Sequence, residues 1–295
     1  MSKYGFSWCR VSLRTLFVLV GGLAVGLSIL SWNISLFRRE QRLAAQLMSM
    51  GFAVEYECER DERGFQQGPS RFETIMSELC GLEHFDHVIM VNGPRTAMLD
   101  DELAWLSSFT ELRTLALGGG DLSDTDVAPV EHCRKLEYLF LSSMTVSDAA
   151  FARVSSLPSL QYVALTDMTL SRSSLESISQ LPRLEELRLV TSRIDSGALG
   201  CLAKCRELRT LRLQNSSITD DELAFVALTP ELRSLDLQHT DITDIGLRHV
   251  ARISTLEWLG IYNAWVTKEG VDELQLALPN CHIDVHQPLA TRSSE

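Results

Sequence analysis

A 24-residue period constrains this chain more than any other feature. Seven blocks begin at Glu111, Lys135, Ser159, Arg183, Glu207, Glu231 and Thr255. Positions 2, 5, 7, 12, 17 and 20 are apolar in every block, which an overall apolar content of 45% cannot supply by chance. Position 5 reads Leu115, Leu139, Val163, Leu187, Leu211, Leu235 and Leu259, and position 7 reads Leu117, Leu141, Leu165, Leu189, Leu213, Leu237 and Ile261. Residues two apart share one face of a strand. Positions 17 and 20, such as Leu223 with Val226, are three apart and share one face of a helix.

Position 13 is a helix N-cap type throughout: Ser123, Ser147, Ser171, Asp195, Thr219, Thr243 and Thr267. Such side chains accept hydrogen bonds from first-turn amides that have no partner within the helix. Ser123 with Asp126, and Thr219 with Glu222, have the spacing of capping boxes. Asp124, Asp148, Asp220 and Asp244 follow at the positive end of the helix dipole. Each block therefore predicts strand, turn, capped helix and return. One block cannot bury its own apolar face, whereas stacked blocks share a continuous core.

The pattern L-x-x-L-x-L, an aliphatic residue and then [ST]-D-x-x-L resembles the leucine-rich repeat of the ribonuclease-inhibitor and cysteine-containing types. Cys133 and Cys205 at position 23 are similar to the cysteine of the latter type. The resemblance implies an α/β solenoid with a parallel sheet on its concave face. That family often carries Asn or Cys at position 10, where this chain has Gly120, Met144, Met168, Ser192, Ser216, Thr240 and Ala264. Hydroxyls can replace the ladder in later repeats, and earlier ones must satisfy their backbone otherwise. His87–Thr110 is a degenerate first repeat with helix positions Leu103 and Leu106. Its strand register runs through Val88 and either Met90 or Val91. Cys281–Val285 reads as a closing strand.

Ahead of the repeats, Thr15 to Phe37 is a 23-residue run without a charge. As a helix it would measure about 34 Å, enough for a hydrocarbon core of about 30 Å. No small-x-small cleavage site follows it, which favours an uncleaved transmembrane anchor over a signal peptide. Three Lys/Arg precede it and three follow soon after, so the positive-inside rule assigns no side. Gly22 and Gly26 have the spacing that permits a weak homodimer in the bilayer. The plan resembles planctomycete-type membrane-anchored repeat proteins. The expected organisation is a basic head over 1–14, a transmembrane helix over 15–37, a juxtamembrane helix, short strand and polar linker over 38–81, repeats over 82–285 and a tail over 286–295. Within the linker, Arg38–Met50 reads as the helix, Phe52–Glu57 as the strand and Phe72–Leu79 as a further short helix.

Net charge is −12, from 27 basic and 39 acidic residues, which argues against nucleic acid as the main partner. Seven cysteines without framework spacing exclude a disulfide scaffold. Cys80, His84 and His87 lack a fourth ligand, and neither a G-x-S-x-G elbow nor a Walker loop is present, so no metal, cofactor or enzyme site is expected. The resemblance makes strand positions 4, 6 and 8 the ligand-facing surface. There lie Tyr138, Phe140, Tyr162, Glu186, Arg188, Arg212, Asp236, Trp258 and Tyr262, rich in the Tyr, Trp and Arg of binding hot spots. The chain is thus expected to be a single-pass membrane protein that recognises a protein partner. The alternatives are a structural envelope scaffold and a substrate receptor similar to F-box repeat proteins.

Overall fold

The computed structural model describes residues 13–56, 87–93 and 103–285; before residue 34 it describes the side chains of residues 25, 28, 31 and 32 alone. Residues 1–12 of the basic head, the polar linker with its short helix, Cys58, Cys80, His84 and the tail lie outside the described residues.

The apolar pairs at positions 5 and 7 build a ten-stranded sheet. Its strands are β1 (Ala53–Tyr56), β2 (Val88–Asn92), β3 (Thr114–Gly118), β5 (Tyr138–Ser142), β7 (Tyr162–Thr166), β9 (Glu186–Val190), β11 (Thr210–Arg212), β12 (Ser234–Asp236), β13 (Trp258–Gly260) and β14 (His282–Asp284), adjacent in that order. Strands β2 to β14 are parallel and in register at 24-residue offsets, as with Leu211 opposite Leu187 and Leu235. β1 caps the edge antiparallel to β2. The first repeat's register is settled by Val91 opposite Leu115, with Val88 and Val91 both fully buried. β14 closes the other edge beside β13. Position-5 and position-7 side chains pack inward against the helical layer at positions 17 and 20, forming one core from Ala44 to Cys281.

The turn after the strand of each regular repeat has a common conformation. Position 9 lies in the left-handed region in every regular repeat: Gly119, Ser143, Asp167, Thr191, Asn215, His239 and Asn263, with φ between 51° and 73°. Six of these are not glycine, and Thr191 is β-branched, the type that tolerates positive φ least. The early repeats then form short outer pairs, β4 (Asp121–Leu122) with β6 (Thr145–Val146), and β8 (Thr169–Leu170) with β10 (Arg193–Ile194). The first pair satisfies backbone where position 10 has no hydroxyl, and the second lies beside the Ser192 hydroxyl. In later repeats hydroxyls do so: Ser192 Oγ donates to Leu165 O at 3.3 Å, and Ser216 Oγ donates to Leu189 O.

Capping follows the expected positions with two differences. Ser123 and Asp126 form the capping box, and Ser147, Ser171 and Thr267 each accept from the amide three residues on. Thr219 makes no side-chain cap; Glu222 instead reaches back one repeat and accepts the Gly197 N–H at 2.6 Å. Its partner repeat has no α-helix, because Gly197 at φ 74° starts a 3-10 segment over Ala198–Lys204. The position-14 aspartates also do more than sit on a helix dipole. Asp220 accepts from Thr243 N and Oγ1 at 2.9 and 2.6 Å, and Asp244 accepts from Thr267 N and Oγ1 at 2.8 and 2.7 Å. Asp148 likewise accepts from Ser171 and Ser174, which hold its carboxyl below the usual range. Each of these three carboxylates staples its own repeat to the next.

The expected juxtamembrane helix is not separate. One helix, α1, runs from Leu13 to Ser49, and Gly51 at φ 89° turns the chain into β1. Leu47 and Ala44 are buried on the first repeat, Glu40 lies 3.1 Å from His87, and Phe52 stacks edge-on against Trp105. The tail of α1 and β1 are therefore the end cap of the solenoid. Among the described residues no helix is long and apolar enough to cross a membrane. The uncharged run 15–37 falls largely on positions whose side chains lie outside them.

Candidate functional site: the concave sheet face

Positions 4, 6 and 8 alternate with the core positions, so they project from the opposite face of the sheet. Tyr138, Phe140 and Tyr162 come together there. The Tyr138 and Tyr162 ring centroids are 5.8 Å apart, and Phe140 lies 5.0 Å from Tyr162. Such separations are those of favourable aromatic pairs. Tyr138 remains 40% exposed, an apolar area that the fold itself does not use.

The charged residues continue from this cluster without a break. The Arg188 guanidinium lies 5.0 Å from the Tyr162 ring centroid, a cation–π contact. Arg188 Nε donates to Glu186 Oε1 at 2.6 Å, and Arg212 Nε donates to the same oxygen at 3.3 Å. Arg212 also approaches Asp236 Oδ2 at 3.8 Å. Burial pushes the Tyr162 phenol above its ordinary value, against the pull of the arginines.

Asp236 keeps its register on this face but is covered by its neighbours. It is 1% exposed, because Gln214 Nε2 donates to its Oδ2 at 2.6 Å and the Gln238 N–H to its Oδ1 at 3.2 Å. Burial pushes its carboxyl up despite those donors and Arg212. Asp236 therefore orients Arg212 and Gln214 from beneath and has little surface of its own. Trp258 lies across Gly260, where a Cβ would stand 2.5 Å from the ring's Cη2. Tyr262 packs edge-on against His239, with centroids 5.1 Å apart. These two aromatics thus hold different neighbours at the two ends of one strand register.

Sequence reasoning missed a cleft of about 480 Å³ beside the aromatic cluster. Its floor is Ala116 and Ala164 on the strands flanking Phe140, with Asn92, Ser142 and Thr166 around it. The signal for it is present at position 6, where alanine, phenylalanine and alanine succeed one another. Among the described residues no group of three metal-ligating side chains occurs. Cys133 and Cys205 are buried, with thiols pushed up to about 12 by desolvation, and their Sγ atoms point at carbonyls of the preceding repeat.

No family model matches the sequence, and no curated protein does. Solved structures that are similar include a leucine-rich-repeat protein of Leptospira interrogans, 20% identical over 61% of this chain, with a TM-score of 0.48. An internalin C2 of Listeria monocytogenes is 17% identical over 75% of this chain and 85% of its own, with a TM-score of 0.47. An internalin of the same organism is 20% identical over 69% of this chain and 62% of its own, with a TM-score of 0.48. This chain spans 45% of the Leptospira protein. The in-register strands, left-handed turns and capped returns described above decide the architecture. The fold is a leucine-rich-repeat solenoid.

Proposed function

We propose that the protein is held in a membrane through residues 15–37 and presents its solenoid for protein recognition on the concave face. The observation that carries the recognition reading is the unbroken surface from Tyr138 through Phe140, Tyr162 and Arg188 to Glu186 and Arg212. Exposed aromatics beside arginines are what binding hot spots are made of. The anchor reading rests on the uncharged 23-residue run, its basic flanks and its place within the 37-residue helix α1. A Gly22–Gly26 dimer contact is read from spacing alone. A scaffold without a ligand is the second reading, favoured by the fact that Glu186, Arg188, Arg212 and Asp236 already pair with one another. Among the described residues before the repeats, the end of α1 and β1 build a cap of helix and antiparallel strand, and nothing there favours the F-box reading.

Site-specific photo-crosslinking tests the recognition reading. A photoreactive side chain at Thr210 or Ser234 should give a discrete adduct in cells, and one at Ser173 on the helical side should not. The Thr210 adduct should vanish with Tyr162→Ala combined with Arg212→Ala. Adducts from Ser173 alone would place recognition elsewhere, and adducts from neither would favour the scaffold. For the anchor, the full chain should stay in the pellet after carbonate washing, and a chain beginning at Arg38, which keeps the cap, should not.

A further inference from the structure

The concave face divides into two halves of unlike chemistry. From β9 onward it carries Glu186, Arg188, Arg212 and Asp236. From β2 to β7, positions 4, 6 and 8 carry no side chain that is charged at neutral pH, in a protein of net charge −12. The 480 Å³ cleft lies in this neutral half. Alanines at 116 and 164 leave the sheet floor low on both sides of Phe140, and the Phe140 ring, leaning on Tyr162, forms a wall. The backbone around the cleft is already paired: Gly93 N to Ala116 O at 2.8 Å, Gly119 N to Ser142 O at 3.0 Å and Ser143 N to Thr166 O at 2.9 Å. An added strand would find no free ladder there, so recognition must come from side chains.

We propose that this cleft seats one uncharged aromatic side chain of a protein partner, packed over Ala116 and Ala164 against Phe140. A charged side chain would lose its hydration without meeting an opposite charge. An aromatic ring gains apolar contact and a tilted partner in Phe140. The cleft's size is that of pockets that enclose small organic groups. A neutral sugar is disfavoured because Asn92 is the one planar polar side chain among the described lining residues, and sugar recognition draws on several. Ser142 and Thr166 at the mouth suit the amide groups flanking such an anchor. The proposal rests on the reading of the concave face as a recognition surface and specifies what that surface takes.

The test uses the full chain in lipid nanodiscs, labelled at alanine methyls, titrated with N-acetyl-L-phenylalaninamide. Ala116 and Ala164 methyl signals should shift saturably, and N-acetyl-L-lysinamide and methyl glucoside should leave them in place. Ala164→Leu should fill the floor and weaken the titration by roughly tenfold or more. Thr166→Trp, at the mouth and away from the core, should do the same and decides the matter if the first variant does not fold. Failure of the phenylalanine probe to shift either methyl would overturn the proposal, as would unchanged titration in Thr166→Trp. Shifts with methyl glucoside instead would make the cleft a glycan subsite and overturn it too. If crosslinking captures a partner on the concave face whose affinity Thr166→Trp leaves unchanged, the recognition reading stands and the anchor cleft falls. If the probe binds and no partner crosslinks, the reverse holds.

Discussion

Gly270→Ala should change sign with the residue at position 244. Gly270 lies in the first turn of the helix Lys268–Ala277, where an alanine would ordinarily add about 0.5–1 kcal/mol of stability. Here its Cβ would stand 2.5 Å from Asp244 Cγ, well inside the contact distance of about 3.5–4 Å. The carboxylate must swing away and give up the Thr267 amide and hydroxyl at 2.8 and 2.7 Å. Hydrogen bonds to a charged group contribute about 1.5–3 kcal/mol each, and water regained by this half-buried pair returns part of that. Gly270→Ala alone should therefore destabilise by about 1–3 kcal/mol, as should Asp244→Ala. In the Asp244→Ala background the carboxylate is gone and the Cβ left at position 244, 3.2 Å from the new methyl, need yield only slightly, so Gly270→Ala should stabilise by up to about 0.5–1 kcal/mol. Urea unfolding of the four proteins, followed by far-ultraviolet circular dichroism, reads the coupling as about 2 kcal/mol. A coupling under about 0.5 kcal/mol would refute the inter-repeat staple. Gly246 provides a control: its Cβ would also meet Ile242 Cγ2 at 2.6 Å, so Gly246→Ala should remain destabilising beside Asp220→Ala.

Other outcomes follow from the same packing. Leu211→Ala and Leu235→Ala each empty a fully buried position 5 and should cost about 2–5 kcal/mol in denaturant unfolding, against less than about 0.5 kcal/mol for Ser234→Ala on the concave face. Cys133 and Cys205, their thiols pushed up to about 12, should resist iodoacetamide at neutral pH until the protein unfolds; rapid alkylation of the native state would show they are not buried. The Asp236 carboxyl is raised, so the folded state holds this proton more tightly than the unfolded chain does. Its contribution to stability is present below the ordinary value of 3.8 and is lost as pH rises through the raised one. Asp236→Asn should flatten that part of the melting temperature's fall with pH, and an unchanged profile would contradict the assigned burial.

The strands, their register and the core could be read from the sequence because six apolar positions recur at one period and each has a single geometric use. The caps could be read for the same reason where a hydroxyl stands alone at position 13. Thr219 misleads because Glu222 has a stronger claim elsewhere, on the Gly197 amide a full repeat away. The left-handed turn at position 9 is half legible: Gly119, Asp167, Asn215, His239 and Asn263 are types that accept positive φ, whereas Ser143 and Thr191 hide it, and there the stacked turns impose the conformation. The staple was half visible, as aspartates at position 14, while its other half is the absence of a side chain at Gly246 and Gly270. On the concave face the aromatic cluster follows from adjacent strands. The burial of Asp236 does not, since it depends on which way Gln214, Gln238 and Trp258 fold.

Affinity for the crosslinked partner tests the recognition account most directly. The full chain should be compared with Tyr162→Ala, with Arg212→Ala and with the two combined, with Ser173→Ala as the control on the helical side. Removing Tyr162 should weaken binding by roughly thirtyfold, the equivalent of about 2 kcal/mol, and the double variant by more, with unfolding midpoints little changed. Unchanged affinity in the double variant, in protein that folds as the native chain does, would contradict recognition through the concave face.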